Sequence, residues 1–259
     1  MKCHLCLLIG LLILTPSMVR TQSGSEIKLT AADSAPQNAF GFAVAIDSDY
    51  AIVGAFLDNN EKGEKAGAAY IFKREGTTWI QQAKLIGDDV DAGDRLGADA
   101  AIDGDYAIVT AASDNDDGAA YVFKREGTTW TQQAKLTPSD SPLGERFGSC
   151  VTLEGDYAIV GGFDGNTEIG GLYVFRREDT TWTQQARLVP NDLAERDGFG
   201  LSVELSGGYA IAGSRYRDEN GENSGAAYIF KRDGSAWTQQ IKLIGNNVGA
   251  GHWLEQALQ

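Results

Sequence analysis

An all-β fold built from one four-stranded antiparallel unit written four times is what this 259-residue sequence predicts, on three observations. A tyrosine opens one segment at Tyr50, Tyr106, Tyr157 and Tyr209, and a tryptophan opens another at Trp79, Trp130, Trp182 and Trp237, so the period is just over fifty residues. Each copy holds four short strand-like runs separated by turn residues. No stretch carries a helical period. Repeats of this length, with four strands per copy, are the signature of small sheets arranged radially as the blades of a β-propeller.

Each element follows from its residues. Strand a is Phe147 to Leu153 in the third copy, matched by Phe40 to Ile46, Leu96 to Ile102 and Phe199 to Leu205. A two-residue turn ends it, at Asp47-Ser48, Asp103-Gly104, Glu154-Gly155 and Ser206-Gly207. Asp-Gly between apolar runs is a strong hairpin signal because glycine tolerates the positive φ of a tight turn. Strand b reads Tyr-Ala-Ile-Val or Tyr-Ala-Ile-Ala and is apolar on both faces, as a strand covered on both sides must be. Strands c and d are joined by turns at Glu75-Gly76, Glu126-Gly127, Glu178-Asp179 and Asp233-Gly234. Strand d alternates, with Trp130, Gln132, Ala134 and Leu136 on one face and Thr131, Gln133 and Lys135 on the other. That pattern, with Lys84, Lys135, Arg187 or Lys242 near its end, suits an outer edge strand guarded against stray pairing.

The N-terminus reads as a leader. Met1-Lys2 precedes an apolar run from Leu5 to Leu14, which Pro16 and Ser17 end. Ten helical residues rise only ~15 Å, half of a ~30 Å bilayer core, so residues 1–22 are expected to be a signal peptide and not a span. The expected location is secreted, extracellular or on the cell surface. Loss of Lys2 and Arg20 with the leader takes the formal charge from −14 to −16. That sign disfavours nucleic acid, and no membrane insertion is expected once the leader is removed. The one cysteine beyond the leader is Cys150, at a strand position held by small residues in the other copies (read as Ala43, Ala98 and Ser202), so packing and not disulfides must hold the domain.

Strand a opens with Phe40-Gly41, Phe147-Gly148 and Phe199-Gly200, and with Leu96-Gly97 in the second copy. Strand b closes with Gly54-Ala55, Thr110-Ala111, Gly161-Gly162 and Gly213-Ser214. These motifs resemble the FG-GAP repeat of the integrin α-subunit propeller and its bacterial relatives, over residues 26–254 with an irregular tail at 255–259. The resemblance implies a binding or adhesion module. Two departures stand out. The proline that follows Gly-Ala in the integrin repeat is replaced by Phe56, Ala112, Phe163 and Arg215. Calcium-binding relatives also carry an Asp-rich loop between strands a and b, where this chain has a two-residue turn. Calcium takes six to eight oxygens, so the family's calcium site is not carried over and no cofactor or metal is expected.

Antiparallel order puts the b–c and d–a connections on one face. The d–a connection has constant length and a recurring Asp33, Asp89, Asp140 and Asp192, read as turn-capping side chains. The b–c connection varies in length and chemistry, which is where repeat arrays place recognition. Its candidate ligand-binding residues are Phe56, Asp58, Asp114, Asp116, Asp117, Phe163, Asp164, Arg215, Tyr216 and Arg217. The expected partner is an extracellular protein or glycan. Asp114 to Asp117 lack the alternating spacing that wraps a cation.

No repeat contains a histidine, and no cysteine–histidine cluster or phosphate loop is present, so the chain is expected not to be an enzyme. The alternative is a carbohydrate-active enzyme or lectin built on a propeller, a reading that polar groups facing the central channel would favour. Glu26 to Thr30 reads as a strand d without a blade, and after Leu254 the template dissolves. An incomplete ring is therefore expected, part of a longer propeller, with a four-bladed ring and a spare strand as the runner-up.

Overall fold

The computed structural model describes residues 28–113, 117–140, 145–164 and 170–245. The expected leader and tail lie outside them, as do Asp114 and Asp116. The described residues form sixteen strands in four antiparallel sheets. The first blade is β1 (Val44–Asp47), β2 (Tyr50–Ala55), β3 (Ala68–Glu75) and β4 (Thr78–Leu85). The second is β5 (Leu96–Asp103), β6 (Tyr106–Ala111), β7 (Ala119–Glu126) and β8 (Thr129–Leu136). The third is β9 (Glu145–Glu154), β10 (Tyr157–Asp164), β11 (Gly170–Glu178) and β12 (Thr181–Leu188), and the fourth is β13 (Phe199–Ser206), β14 (Tyr209–Ser214), β15 (Ala226–Asp233) and β16 (Ala236–Ile244). In every sheet the strands lie in chain order, with the first innermost.

Two expectations shift at the start of the chain. Strand a of the first blade begins at Val44 and not at Phe40: the chain before it is in turn and bend, where the Phe42 N–H donates to the Ala39 carbonyl at 3.2 Å. Lys28 to Thr30 form no strand. Instead Leu29, Ala31 and Phe40 cover Val53, Tyr70 and Phe72, the face that in later blades meets a predecessor.

The core lies between blades, which is why strand b is apolar on both sides. One side of each blade, the trailing side, packs on the leading side of the next. Ile52, Ile71 and Leu85 meet Ile102, Val109, Tyr121 and Phe123. Ile108, Val122 and Leu136 meet Phe147, Val160, Tyr173 and Phe175. Ile159, Val174 and Leu188 meet Phe199, Tyr228 and Phe230. The strand-a phenylalanine stands edge-on to two rings of strand c, Phe147 being 5.5 Å from Tyr173 and 5.9 Å from Phe175. The glycine after it lets backbones meet: a Cβ on Gly97 (φ 97°) would come 2.4 Å from the carbonyl of Ala68 in the previous blade.

The residues that define the repeat are interface residues. An arginine at the end of strand c lies over the strand-b tyrosine of the preceding blade: Arg125 over Tyr50 at 4.0 Å, Arg177 over Tyr106 at 4.1 Å, Arg232 over Tyr157 at 3.9 Å. Trp130 and Trp182 donate Nε1 back to Gln82 (3.0 Å) and Gln133 (3.2 Å). In the third interface that bond is missing: Trp237 Nε1 and Gln185 Oε1 are both buried without a partner. The other strand-d glutamine (Gln81, Gln132, Gln184, Gln239) accepts a backbone N–H of the preceding d–a connection at 2.7–3.0 Å. Asp47, Asp103 and Glu154 accept the turn N–H of Gly104, Gly155 and Gly207 in the next blade at 2.6–3.0 Å. Each blade is thus tied to its neighbours by apolar burial and by charge-assisted bonds.

Among the described residues, the extensively packed strand pairs run from the first blade to the second, the second to the third and the third to the fourth; the first and fourth are not among them.

Candidate functional site in the hub

The four inner strands line a concavity of about 540 Å³ at the hub. Most of its wall is apolar or small: Val44, Ile46, Ala100, Ile102, Val151 and Leu153 contribute, and Asp99 and Glu204 are the carboxylates. No lysine, arginine or histidine lines it among the described residues.

Asp99 stands second after the Leu-Gly that opens strand a, so its counterparts are Ala43, Cys150 and Ser202. The residue opposite Cys150 in the second copy is therefore Asp99 and not Ala98, which corrects the alignment read from the sequence. The structure fixes this register. Ala43 and Cys150 lie against Gly54 and Gly161 of their own strand b, and the Asp99 N–H donates to Thr110, the counterpart of those glycines, at 2.9 Å. The Asp99 carboxylate accepts the N–H of Ala100 (2.9 Å) and, across the blade interface, that of Val151 (2.7 Å). Burial raises its pKa to about 6; the two backbone N–H groups pull the other way, and the nearby Glu204 charge adds to the rise. Glu204 is itself raised, first by loss of water and then by the charge of Glu154, against a bond from the Leu205 N–H. A carboxylate raised to about 6 by burial on a concave wall can accept a proton at neutral pH.

The loop face is occupied differently from expectation. Asp58 is 1% exposed and is held by Lys84 (2.7 Å), Tyr70 (3.3 Å) and Asn38, so it is tied up inside the first blade and withdrawn from any partner. Arg217 is spent internally on Glu219 (2.8 Å), the Asp192 carbonyl (2.7 Å) and the Asp197 carboxylate. Arg215 lies over the Tyr216 ring at 4.5 Å. Phe56 packs on Phe42, with centroids 4.3 Å apart. Asp117 gives its carbonyl to the Phe147 N–H at 2.9 Å, which ties it to the next blade. Phe163 and Asp164 end β10, where their backbones pair with Arg146 and Glu145. The eight candidates among the described residues do not converge on one site.

The recurring aspartates of the d–a connection also have a different role from the turn capping expected. Asp33, Asp89 and Asp192 pair with Lys84 (2.6 Å), Lys135 (2.8 Å) and Lys242 (2.8 Å) of the following strand d, while Asp140 accepts from Gln184 (2.6 Å). The strand-d lysines, on the outer edge strand of each sheet, therefore also bind an acid of the neighbouring connection. Among the described residues, no group of three or more His, Cys, Asp or Glu side chains is placed to hold a metal.

The FG-GAP repeat pattern matches the chain over residues 24–72, 79–123, 130–175 and 182–230. No curated protein matches it. Among solved structures, a Bacteroides uniformis protein that carries the name 6-phosphogluconolactonase aligns at 12% identity with a TM-score of 0.56, over 82% of this chain and 59% of its own. The periplasmic gluconolactonase of Pseudomonas aeruginosa aligns at 15% identity with a TM-score of 0.48, over 78% of this chain and 52% of its own. The chain thus spans little more than half of either protein. The expectation that the chain is not an enzyme is corrected: the Bacteroides uniformis protein that shares its fold, at 12% identity, bears an enzyme's name. Four matched repeats and four corresponding blades establish that the chain belongs to the FG-GAP repeat family.

Proposed function

We propose that the hub concavity takes an uncharged sugar-type molecule and that Asp99 acts there as general base in the hydrolysis of a lactone or related ester. The observation that carries this reading is the Asp99 carboxylate, raised to about 6 on the wall of the concavity. Asp99 accepts a proton from water; the oxygen so activated adds to the carbonyl carbon. The ring C–O bond then breaks, and the departing alkoxide takes the proton back. No covalent nucleophile is needed, so the absence of histidine from the repeats is no obstacle. The name of the Bacteroides uniformis protein supports this class of chemistry, at the level of fold analogy. Its phosphate has no counterpart here, because the hub wall carries carboxylates and no cation among the described residues. The same charge favours departure of an anionic hydroxy-acid product. We read the protein as acting outside the cell, on the strength of the leader-like run from Leu5 to Leu14. An adhesive role for the loop face is less well supported, since Asp58 and Arg217 are consumed by internal ion pairs.

Proton release from an aldonolactone, followed across pH 4 to 8, tests the proposal. The expected rate rises through about pH 6 and then levels, and Asp99→Asn lowers it by about 10²-fold or more. Hydrolysis no faster than the buffer background, or undiminished in Asp99→Asn, overturns it. Saturable sugar binding without turnover would leave a lectin in its place.

A further inference from the structure

The array has two unlike ends, and they are complementary by the chain's own rule. At every internal interface a trailing face offers a strand-b tyrosine and isoleucine, and a leading face offers the arginine and tryptophan that cover them. On the trailing face of the fourth blade no neighbouring blade covers these groups among the described residues, and Lys231 of the same sheet lies 5.7 Å from the Tyr209 ring. Tyr209 is 46% exposed and Ile241 48% exposed, and Ile211 and Ile229 belong to no core cluster, whereas Ile52, Ile108 and Ile159 are fully buried at the same position. Gln240, whose counterparts Gln82 and Gln133 hold the next blade's tryptophan, bonds instead to Thr238 of its own strand.

The leading side of the first blade carries the matching half. Arg74 and Trp79 occupy the places of Arg125 and Trp130, and Arg74 is half exposed, held by Asp49 alone. Val44 and Ile46 are 69% and 67% exposed where their counterparts Ala100 and Ile102 are buried under the preceding blade. Leu29, Ala31 and Asp33 already supply what a preceding d–a connection gives the other blades. Only the strand face of a predecessor is lacking, and the fourth blade presents one.

We propose that the trailing face of the fourth blade docks on the leading face of the first blade in a second copy of this chain, head to tail. Arg74 of one copy lies over Tyr209 of the other, and Trp79 bonds Gln240, as Arg125 and Trp130 do with Tyr50 and Gln82. Such a contact is heterologous: it closes into a ring of two copies or continues as a chain. It does not rest on the hub chemistry: Arg74, Trp79, Tyr209 and Gln240 lie outside the concavity.

Sedimentation of the purified chain and of two surface variants tests this. The unmodified chain is expected to associate reversibly, with the dimer or a longer series growing as concentration rises. Ile241→Glu destroys the trailing face and Arg74→Glu the leading face; both side chains are about half exposed, so both variants fold, which circular dichroism confirms. Each variant alone is expected to be monomeric, with its apparent Kd weakened by 100-fold or more. Mixed in equal amounts, they restore one heterodimer through the intact face of each. A monomeric unmodified chain overturns the proposal, as does association that persists in both variants or a mixture that stays monomeric.

Discussion

Lys84 and Lys135 hold the same place in strand d of successive blades, yet their removal should cost different amounts. Lys84 serves two acids, the exposed Asp33 and the buried Asp58, which hold its ammonium well above its ordinary pKa against the opposing effect of burial. Lys84→Met strands the Asp58 charge and is expected to destabilise the protein by about 3–5 kcal/mol. Lys135 pairs with Asp89, which keeps its access to water, so Lys135→Met should cost about 1 kcal/mol or less in the same urea titration. Asp99 makes a prediction of opposite sign. Its pKa is raised on folding from 3.8 to about 6, so the folded state holds the proton longer than the unfolded chain. Stability should therefore fall as pH rises through that window, by up to about 3 kcal/mol, and Asp99→Asn should remove this component of the slope. Stability that stays level from pH 4 to 6, once the other carboxylates are allowed for by the Asn variant, would count against the shift. Asp99 was legible in the sequence as an acid among Ala43, Cys150 and Ser202, but only in the correct register; an offset of one residue replaces it with Ala98 and hides it. Asp58 was visible as an acid on a variable loop, and nothing local to it revealed that Lys84, twenty-six residues on, would bury it.

At the scale of the strand, two glycines of equal standing in the sequence do different jobs. Gly76 lies in a c–d turn with φ of 62°, and a Cβ there meets nothing within 4 Å. Gly76→Ala should cost only the left-handed backbone preference, about 1 kcal/mol. Gly97, the glycine of the Leu-Gly opening of strand a, has φ of 97°, and its Cβ would press on the Ala68 carbonyl and the Ala55 amide of the preceding blade. Gly97→Ala should cost more than about 3 kcal/mol, and thermal melts of the two variants separate these outcomes. Equal losses would mean that the blades separate easily at that point. The strands and hairpins were readable because alternation and turn chemistry are local properties. The role of the Thr-Gln-Gln run was not. Gln132 caps the connection of the blade before and Gln133 holds the tryptophan of the blade after, so its meaning appears only once the blades stand side by side.

For the molecule as a whole, stability is a sum over neighbours, because each blade's core is shared with the next. The second and third blades have a partner on both faces. The first has one partner and the cover of Leu29, Ala31 and Phe40; the fourth has one partner and an open trailing face. Amide hydrogen exchange, measured at a concentration too low for copies to associate, should therefore be slowest in β7 and β11. It should be fastest, by about 10-fold or more, in β15, whose Ile229 lacks the cover that buries Ile71, Val122 and Val174. The contrast carries a second consequence, which links it to the ends of the array. Raising the concentration should slow exchange in β15 and in β1 together, since one head-to-tail contact covers both, and leave β7 and β11 unchanged. Protection that is uniform across the four blades at low concentration would show that the array unfolds as one unit and that an uncovered face costs it nothing.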